Sequence, residues 1–373
     1  MTKIDRLLMS WKPPEERQFD IISAMKTIKT VWEWSAETEA KRLIHTAHNI
    51  ADGFFRVNNF FVVPYRREVS QTSQTVPFPE LPYRTIPRFW DRVKRTDIKN
   101  FPLEFDAKLV EDVSELLERS NLYCLQRLDL YELQQIWKKA GGEILEEIYK
   151  IIPEKKDAIS KIIIHPTSFG TTCSFSIADS FPAAVEMYLR ADQDIYALTE
   201  AILSAITRNE VYRELDGMWS ESELLVDWLI MKSSLSPILK KYQPKTNFIP
   251  TVKYTRMKRG ARLMTESEEF YRRLGAPILK NVFGLEDGRP TVSGRPLENI
   301  SAREREILAA MIKKSNAAIT IDETADLLFK SDEEFSLQAI AKTIQRLRDK
   351  LEQNGVSGSF IQTLRGQGYV LKN

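Results

Sequence analysis

Residues 336–371 constrain this chain more than any other stretch of it. Leu337, Ile340, Ile344, Leu347 and Leu351 recur at steps of three and four, which predicts a helix with one apolar face. Gln338, Lys342, Gln345, Arg346 and Asp349 fall on the opposite face. Apart from Asp349, those groups are amides and cations, which can pair with base edges and phosphates. Asn354-Gly355 closes the helix. Residues 360–364 and 369–371 then read as two short strands around Arg365-Gly366-Gln367-Gly368, where the glycines allow the positive φ of a tight hairpin.

A polar-faced helix followed at once by a small hairpin resembles a helix-turn-helix with a wing, the C-terminal DNA-binding domain of OmpR/PhoB-type response regulators. That family carries an isoleucine and then Leu-Arg-x-Lys-Leu late in its recognition helix. Here Ile344 and Leu347-Arg348-Asp349-Lys350-Leu351 fill the pattern. Its wing ends in Thr-Val-Arg-Gly-x-Gly-Tyr, and here the run is Thr363-Leu364-Arg365-Gly366-Gln367-Gly368-Tyr369. The resemblance covers residues 281–373. It implies that the helix enters the major groove of double-stranded DNA, with Lys342, Gln345 and Arg346 central and Gln338 and Thr343 flanking. Arg348 and Lys350 are then phosphate contacts or packing neighbours. Arg365 reaches a phosphate or the minor groove, and Tyr369 belongs to the core. Asp349 departs from the family, and Arg346 and Lys350 are the cations near enough in sequence to pair with it.

Upstream elements agree with this order. Residues 282–285 and 289–292, around Asp287-Gly288, read as a hairpin. Ser301 and Glu304 form a capping box before Ile307, Leu308 and Met311. Asp322 is the expected cap of a second short helix carrying Ala325, Leu327 and Leu328. In the family, the loop that follows can touch RNA polymerase. Here residues 330–334 are short and acidic.

The formal net charge of +2 is silent about nucleic acid, so any basic surface must be local. From residue 342 to 372, Lys342, Arg346, Arg348, Lys350, Arg365 and Lys372 face only Asp349 and Glu352. The two cysteines, Cys124 and Cys173, make neither a disulfide framework nor a zinc site. With no signal peptide and no apolar run of membrane-spanning length, a cytoplasmic protein without membrane contact is expected.

The 373 residues suggest two or three domains, with 43% hydrophobic residues to build cores. The expected class is α+β: an α-rich region over 1–280, with a small β element and room for two subdomains, then a winged helix-turn-helix over 281–373. Residues 1–17 read as an irregular arm, and helical periodicity starts at Phe19, with Ile28 and Val31 on one face. Helices are predicted over 36–55, 89–93, 107–117, 131–151 (with Gly141-Gly142 a candidate break), 192–206, 220–231 and 266–274. Strands are predicted over 60–63, 161–164, 173–177 and 184–189. Residues 66–87 read as an exposed loop, and 237–262 as a proline-containing stretch whose cluster Lys253, Arg256, Lys258, Arg259 and Arg262 is either linker or further phosphate contact. A receiver domain would show regular βα alternation, an early acidic pair and a mid-domain aspartate. That pattern is not readable, so control by phosphorylation is not carried over.

His45 and His48 have a spacing that can hold a metal, but no third ligand stands nearby in sequence, and ordinary surface or core histidines are expected. No cofactor is expected. The segment from Phe169-Gly170-Thr171 through a strand at 184–189 and helices at 194–206 and 221–229 resembles the element order of small zincin metallopeptidases. Their His-Glu-x-x-His would fall on Thr199-Glu200-Ala201-Ile202-Leu203. The resemblance then implies a domain that has lost its metal and serves as sensor or scaffold; a helical domain of unrelated origin is the alternative. The functional expectation is a DNA-binding transcription regulator that is not an enzyme, whose N-terminal region senses a ligand, binds a partner or self-associates. The alternatives are a hydrolase or degenerate metallopeptidase-like protein recruited to DNA by the winged helix, and a winged helix that packs on a partner protein.

Overall fold

The computed structural model describes residues 28–65, 74–96, 105–120, 127–176, 182–213, 219–246, 261–277, 282–329, 336–364 and 366–372. Its architecture is α+β, with three apolar clusters.

The first cluster forms around a sheet of order β1-β4-β6-β5. Strand β1 (Lys29–Trp32) lies parallel to β4 (Ile159–Thr167), and β4 parallel to β6 (Ala183–Arg190). Strand β5 (Cys173–Phe175) runs antiparallel to β6 at the edge. Ile162, Ile164, Val185, Met187 and Leu189 bury one face of the sheet in this cluster. That face packs with residues of α5 (Arg127–Ile151), α6 (Ile195–Arg213), α7 (Trp219–Lys232) and α8 (Leu235–Tyr242). The helical reading of Ile28 and Val31 does not hold: Val31 pairs with Ile163 in a parallel ladder. Nor do Gly141-Gly142 break α5. The Trp137 ring lies 2.9 Å from where a Cβ on Gly141 would stand, so the glycine gives the indole its seat.

The second cluster holds α1 (Ala36–Ala51), α3 (Phe89–Lys94), α4 (Ala107–Arg119) and α9 (Ala261–Leu274), with the parallel pair β2 (Phe61–Pro64) and β3 (Thr75–Phe78). Helix α1 starts on a capping box, in which the Ser35 hydroxyl accepts the Thr38 N–H at 3.0 Å and Thr38 Oγ1 accepts the Ser35 N–H at 2.9 Å. It ends at Asp52, and the one-turn helix α2 (Phe54–Val57) follows. Within the stretch expected to be an exposed loop, β3 is instead wholly buried. Pro77 disguises it, since its missing N–H is no loss in a short two-stranded pair. Residues 1–27 and the basic cluster Lys253, Arg256, Lys258 and Arg259 lie outside the described residues, as does Cys124; Arg262 lies at the start of α9.

The third cluster is drawn from residues 282–371, with Val57 of α2 packed against it. Strands β7 (Phe283–Glu286), β8 (Arg289–Val292) and β9 (Arg295–Pro296) form an antiparallel sheet. Helix α10 (Ala302–Lys314) begins on the expected capping box: the Ser301 hydroxyl accepts the Glu304 N–H, and Glu304 accepts the Ser301 N–H at 2.8 Å. Then come β10 (Ala318–Thr320), α11 (Ile321–Leu328), α12 (Leu337–Gln353), a 3-10 turn over Gly358–Phe360, and the hairpin β11 (Ile361–Leu364) and β12 (Gly368–Leu371). The cap of α11 is Thr320, boxed with Glu323, and not Asp322, which sits inside the first turn. Strand β10 closes a three-stranded sheet of order β10-β12-β11. Sequence alone does not reveal it, because β12 lies far along the chain. No described helix is long and apolar enough to cross a membrane.

Candidate nucleic-acid interface

Helix α12 is fixed before it presents anything. The Ser336 hydroxyl accepts the Ala339 N–H, and Ile340, Ile344, Leu347 and Leu351 are each 0–1% exposed. Leu337, assigned to the same face, is 58% exposed. Gln338, Lys342, Gln345 and Arg346 are all exposed, so the helix offers a row of amides and cations outward.

The side chains between them organise that row. Thr343 is not outward: it is 5% exposed, its hydroxyl donates to the Ala339 carbonyl at 2.9 Å, and it accepts from Arg346 Nη2 at 3.0 Å. Buried Glu304 of α10 lies 4.0 Å from Arg346 Nε, so the guanidinium is steered from its base while its side chain stays 66% exposed. The Gln345 amide donates to Asp349 Oδ1 at 3.3 Å, which gives that carboxylate a partner on its own helix. Spacing also offers Arg346 and Lys350. Lys350 is half-buried near the end of α12.

Arg348 joins the helix to the hairpin. Its Nε donates to the Ile361 carbonyl at 3.0 Å, and its Nη2 to the Thr363 hydroxyl at 2.9 Å. These two hydrogen bonds tie α12 to β11. The partners of Arg348 lie on a strand beyond the helix stop, which hides the clamp from helical periodicity. Gly368 fixes the other side of the hairpin. At φ +137, a Cβ there would stand 2.0 Å from the Ile319 carbonyl oxygen, so only glycine lets β12 lie against β10. Tyr369 is buried, as expected of a core residue. Arg365, at the hairpin tip, lies outside the described residues, as do 330–334.

The N-terminal candidates arrange differently. His45 is half-buried within reach of the Arg42 guanidinium, which lies 3.1 Å from its Nδ1; loss of solvent, with Arg42 adding to it, holds its imidazole well below its usual range. His48 donates from Nδ1 to the Val93 carbonyl at 2.8 Å. His165 sits between the Glu33 carbonyl at 3.1 Å and the Glu186 carboxylate at 2.8 Å. Thr199 is fully buried, with its hydroxyl on the Ile195 carbonyl at 2.8 Å, and Leu203 is fully buried in the first apolar cluster. Glu200 is buried too, and burial pushes its carboxyl well above the usual range, with Glu223 and Asp227 adding to the rise. Among the described residues, no group of three or more His, Cys, Asp or Glu side chains is placed to hold a metal ion.

Residues 294–371 match the family model described as "Transcriptional regulatory protein, C terminal". Protein RcaC of Microchaete diplosiphon is 32% identical over 82 residues, which is 22% of this chain and 12% of that protein. The chain thus spans about an eighth of the length of the curated relative it matches. Strands β7 and β8 precede the matched residues, yet Phe283 and Val292 share the core of α10 and α12. The end of this chain therefore carries an OmpR/PhoB-type winged-helix DNA-binding domain, the class of domain found in transcription regulators.

Proposed function

We propose that this protein is a transcription regulator that binds duplex DNA with α12 in the major groove and the β11–β12 hairpin on the neighbouring backbone. One observation carries the reading. Lys342, Gln345 and Arg346 stand exposed on a helix whose other face is locked in a core, and Arg348 ties that helix to the hairpin. A helix and hairpin preset in this way lose little backbone freedom on docking. Lys342, Gln345 and Arg346 are assigned to base edges or adjacent phosphates, and Gln338 to the groove's entrance. Thr343 serves by holding Arg346. Arg348 and Lys350 support the helix and wing, with Arg365 on the backbone.

The chain divides near Gly275–Lys280 into a region over 1–280 and the winged helix over 281–373. Two separate apolar clusters support two subdomains in the first part. We assign that part to sensing, partner binding or self-association, with no receiver domain and no catalytic role, in a cytoplasmic protein. RNA polymerase is a further partner consistent with the domain type. The element order β4, β5, β6, α6, α7 fits the zincin-like reading, and the buried apolar surroundings of Leu203 fit a scaffold.

Selection of bound duplexes from a random pool, followed by titration over salt, tests the proposal. The expected result is an enriched site and a log–log salt slope of several ions, which reports phosphate neutralisation. No enrichment and no salt-dependent retention of any duplex would overturn it.

A further inference from the structure

The winged helix rests on one corner of the N-terminal region. The Ser357 N–H donates to the carbonyl of Asp52, the C-cap of α1, at 2.9 Å. The Gln362 amide donates to the Val57 carbonyl at 3.4 Å, and Val57 packs into the winged-helix core. The Lys94 stem of α3 lies 3.9 Å from where a Cβ on Gly355 would stand. Gly355 and Ser357 directly follow α12, and Gln362 lies in the first strand of the wing. The α1–α2 corner therefore holds the foot of the recognition helix and the root of the wing together, while Lys342 and Arg346 stay exposed.

The Asp52 side chain is buried in this seam. Its Oδ1 accepts the Phe54 N–H at 2.9 Å, and its Oδ2 lies 3.7 Å from His48 Nε2. Glu352 faces it from α12 and Lys94 from α3, while Tyr271 of α9 stands beside it with Arg56. Asp91 and Arg295 act on Lys94 in turn, and His45 and Arg42 stand behind His48. Two carboxyls, Asp52 and Glu352, thus oppose each other across the contact.

We propose that this corner is a regulated joint: a protonated Asp52 closes the seam between the α1–α2 corner and the foot of the recognition helix, and an ionised Asp52 facing Glu352 loosens it, so that the N-terminal region and bound DNA each respond to the state of the other. The coupling to DNA rests on the function proposed above; the seam itself does not. Burial pushes the Asp52 carboxyl up to about 8, with Glu352 adding to the rise against the Phe54 N–H and Lys94. A carboxyl raised in the closed form favours closure fully below its ordinary value near 3.8, and that preference is lost as pH rises through about 8.

Hydrogen exchange of the full chain, with rates corrected for intrinsic chemistry, tests both parts. Between pH 6 and pH 8.5, protection of residues 354–362 is expected to fall well over tenfold in the wild type, as expected for a pH-linked opening. Asp52→Asn should abolish the fall, and Glu352→Gln, at an exposed position, should at least halve it. A wild-type protection independent of pH, or a fall undiminished in Glu352→Gln, would overturn the joint. Saturation with a selected duplex should change exchange over residues 51–58 by at least threefold, because coupling is reciprocal. Unchanged exchange there would overturn the coupling. Failure of every duplex to bind would overturn the DNA reading and with it the coupling, while the pH arm decides the seam alone.

Discussion

The two parts of this chain use charge in opposite directions. On α12, Lys342 and Arg346 point out of a closed apolar core. In the N-terminal region the informative charges point in. Glu39 and Arg42 are each 1% exposed and Arg190 is 2% exposed. Arg190 alone joins Asp192, the Thr75 carbonyl and the Gly170 carbonyl. An outward cation costs little to keep and is available to a partner. An inward one is tolerated only when neighbours replace its water, so it holds the fold together. Winged-helix substitutions should therefore separate binding from stability, and substitutions around α1 should not.

The largest expected effect lies in the winged helix but away from the binding face. Gly368→Ala drives a Cβ into the Ile319 carbonyl at a left-handed φ. It should cost the C-terminal domain about 4 kcal/mol, read as loss of its unfolding transition in denaturant while the N-terminal transition persists. A single shared transition would break the contrast between the two parts.

The pH dependence of the N-terminal region should come next. Burial raises Glu39 from 4.5 to about 7, against a hydrogen bond from the Ser168 N–H at 2.8 Å. Because the folded state holds this proton more tightly, the group's contribution to stability is full below about 4.5 and is lost as pH rises through about 7. Glu39→Gln should remove up to about 3 kcal/mol of that slope between pH 5 and pH 8. Chemical denaturation at several pH values checks it, and an unchanged slope contradicts it.

Arg348→Ala removes the clamp between α12 and β11. A loss of about 1–2 kcal/mol in domain stability is expected. The salt slope of DNA binding should stay unchanged; a slope reduced by a whole ion would return Arg348 to the phosphates. Ser301→Ala, which removes one half of the α10 capping box, should cost about 1 kcal/mol and leave DNA binding untouched.

Legibility in the sequence follows the same divide. Helix α12 is legible because one face meets a core and the other meets water, which is the arrangement that periodicity detects. The hairpin is legible through its glycines, and the start of α10 through Ser301 and Glu304. Helix α6 carries buried Thr199, Glu200 and Leu203 together, so its pattern is nearly faceless even though its existence is plain. The parallel pairs β1–β4 and β2–β3 are made by partners distant or proline-masked in sequence, and their strands are four residues long at β1 and β3. At the candidate interface, Gln338, Lys342, Gln345 and Arg346 follow from helical geometry. The Glu304–Arg346 approach and the Arg348 clamp depend on groups from other elements, and no spacing rule contains them. The Asp52–Ser357 contact joins residues at opposite ends of the chain and leaves no local signal at all.

The central claim is that the exposed cations of α12 read a duplex. Its most direct test is the affinity of the full-length double variant Lys342→Ala, Arg346→Ala for a selected duplex, measured beside its thermal unfolding. The account predicts a loss of roughly 2–4 kcal/mol in binding, about thirtyfold or more, a salt slope lower by one to two ions, and an unfolding temperature within a few degrees of wild type. Unchanged affinity in a folded variant would contradict it.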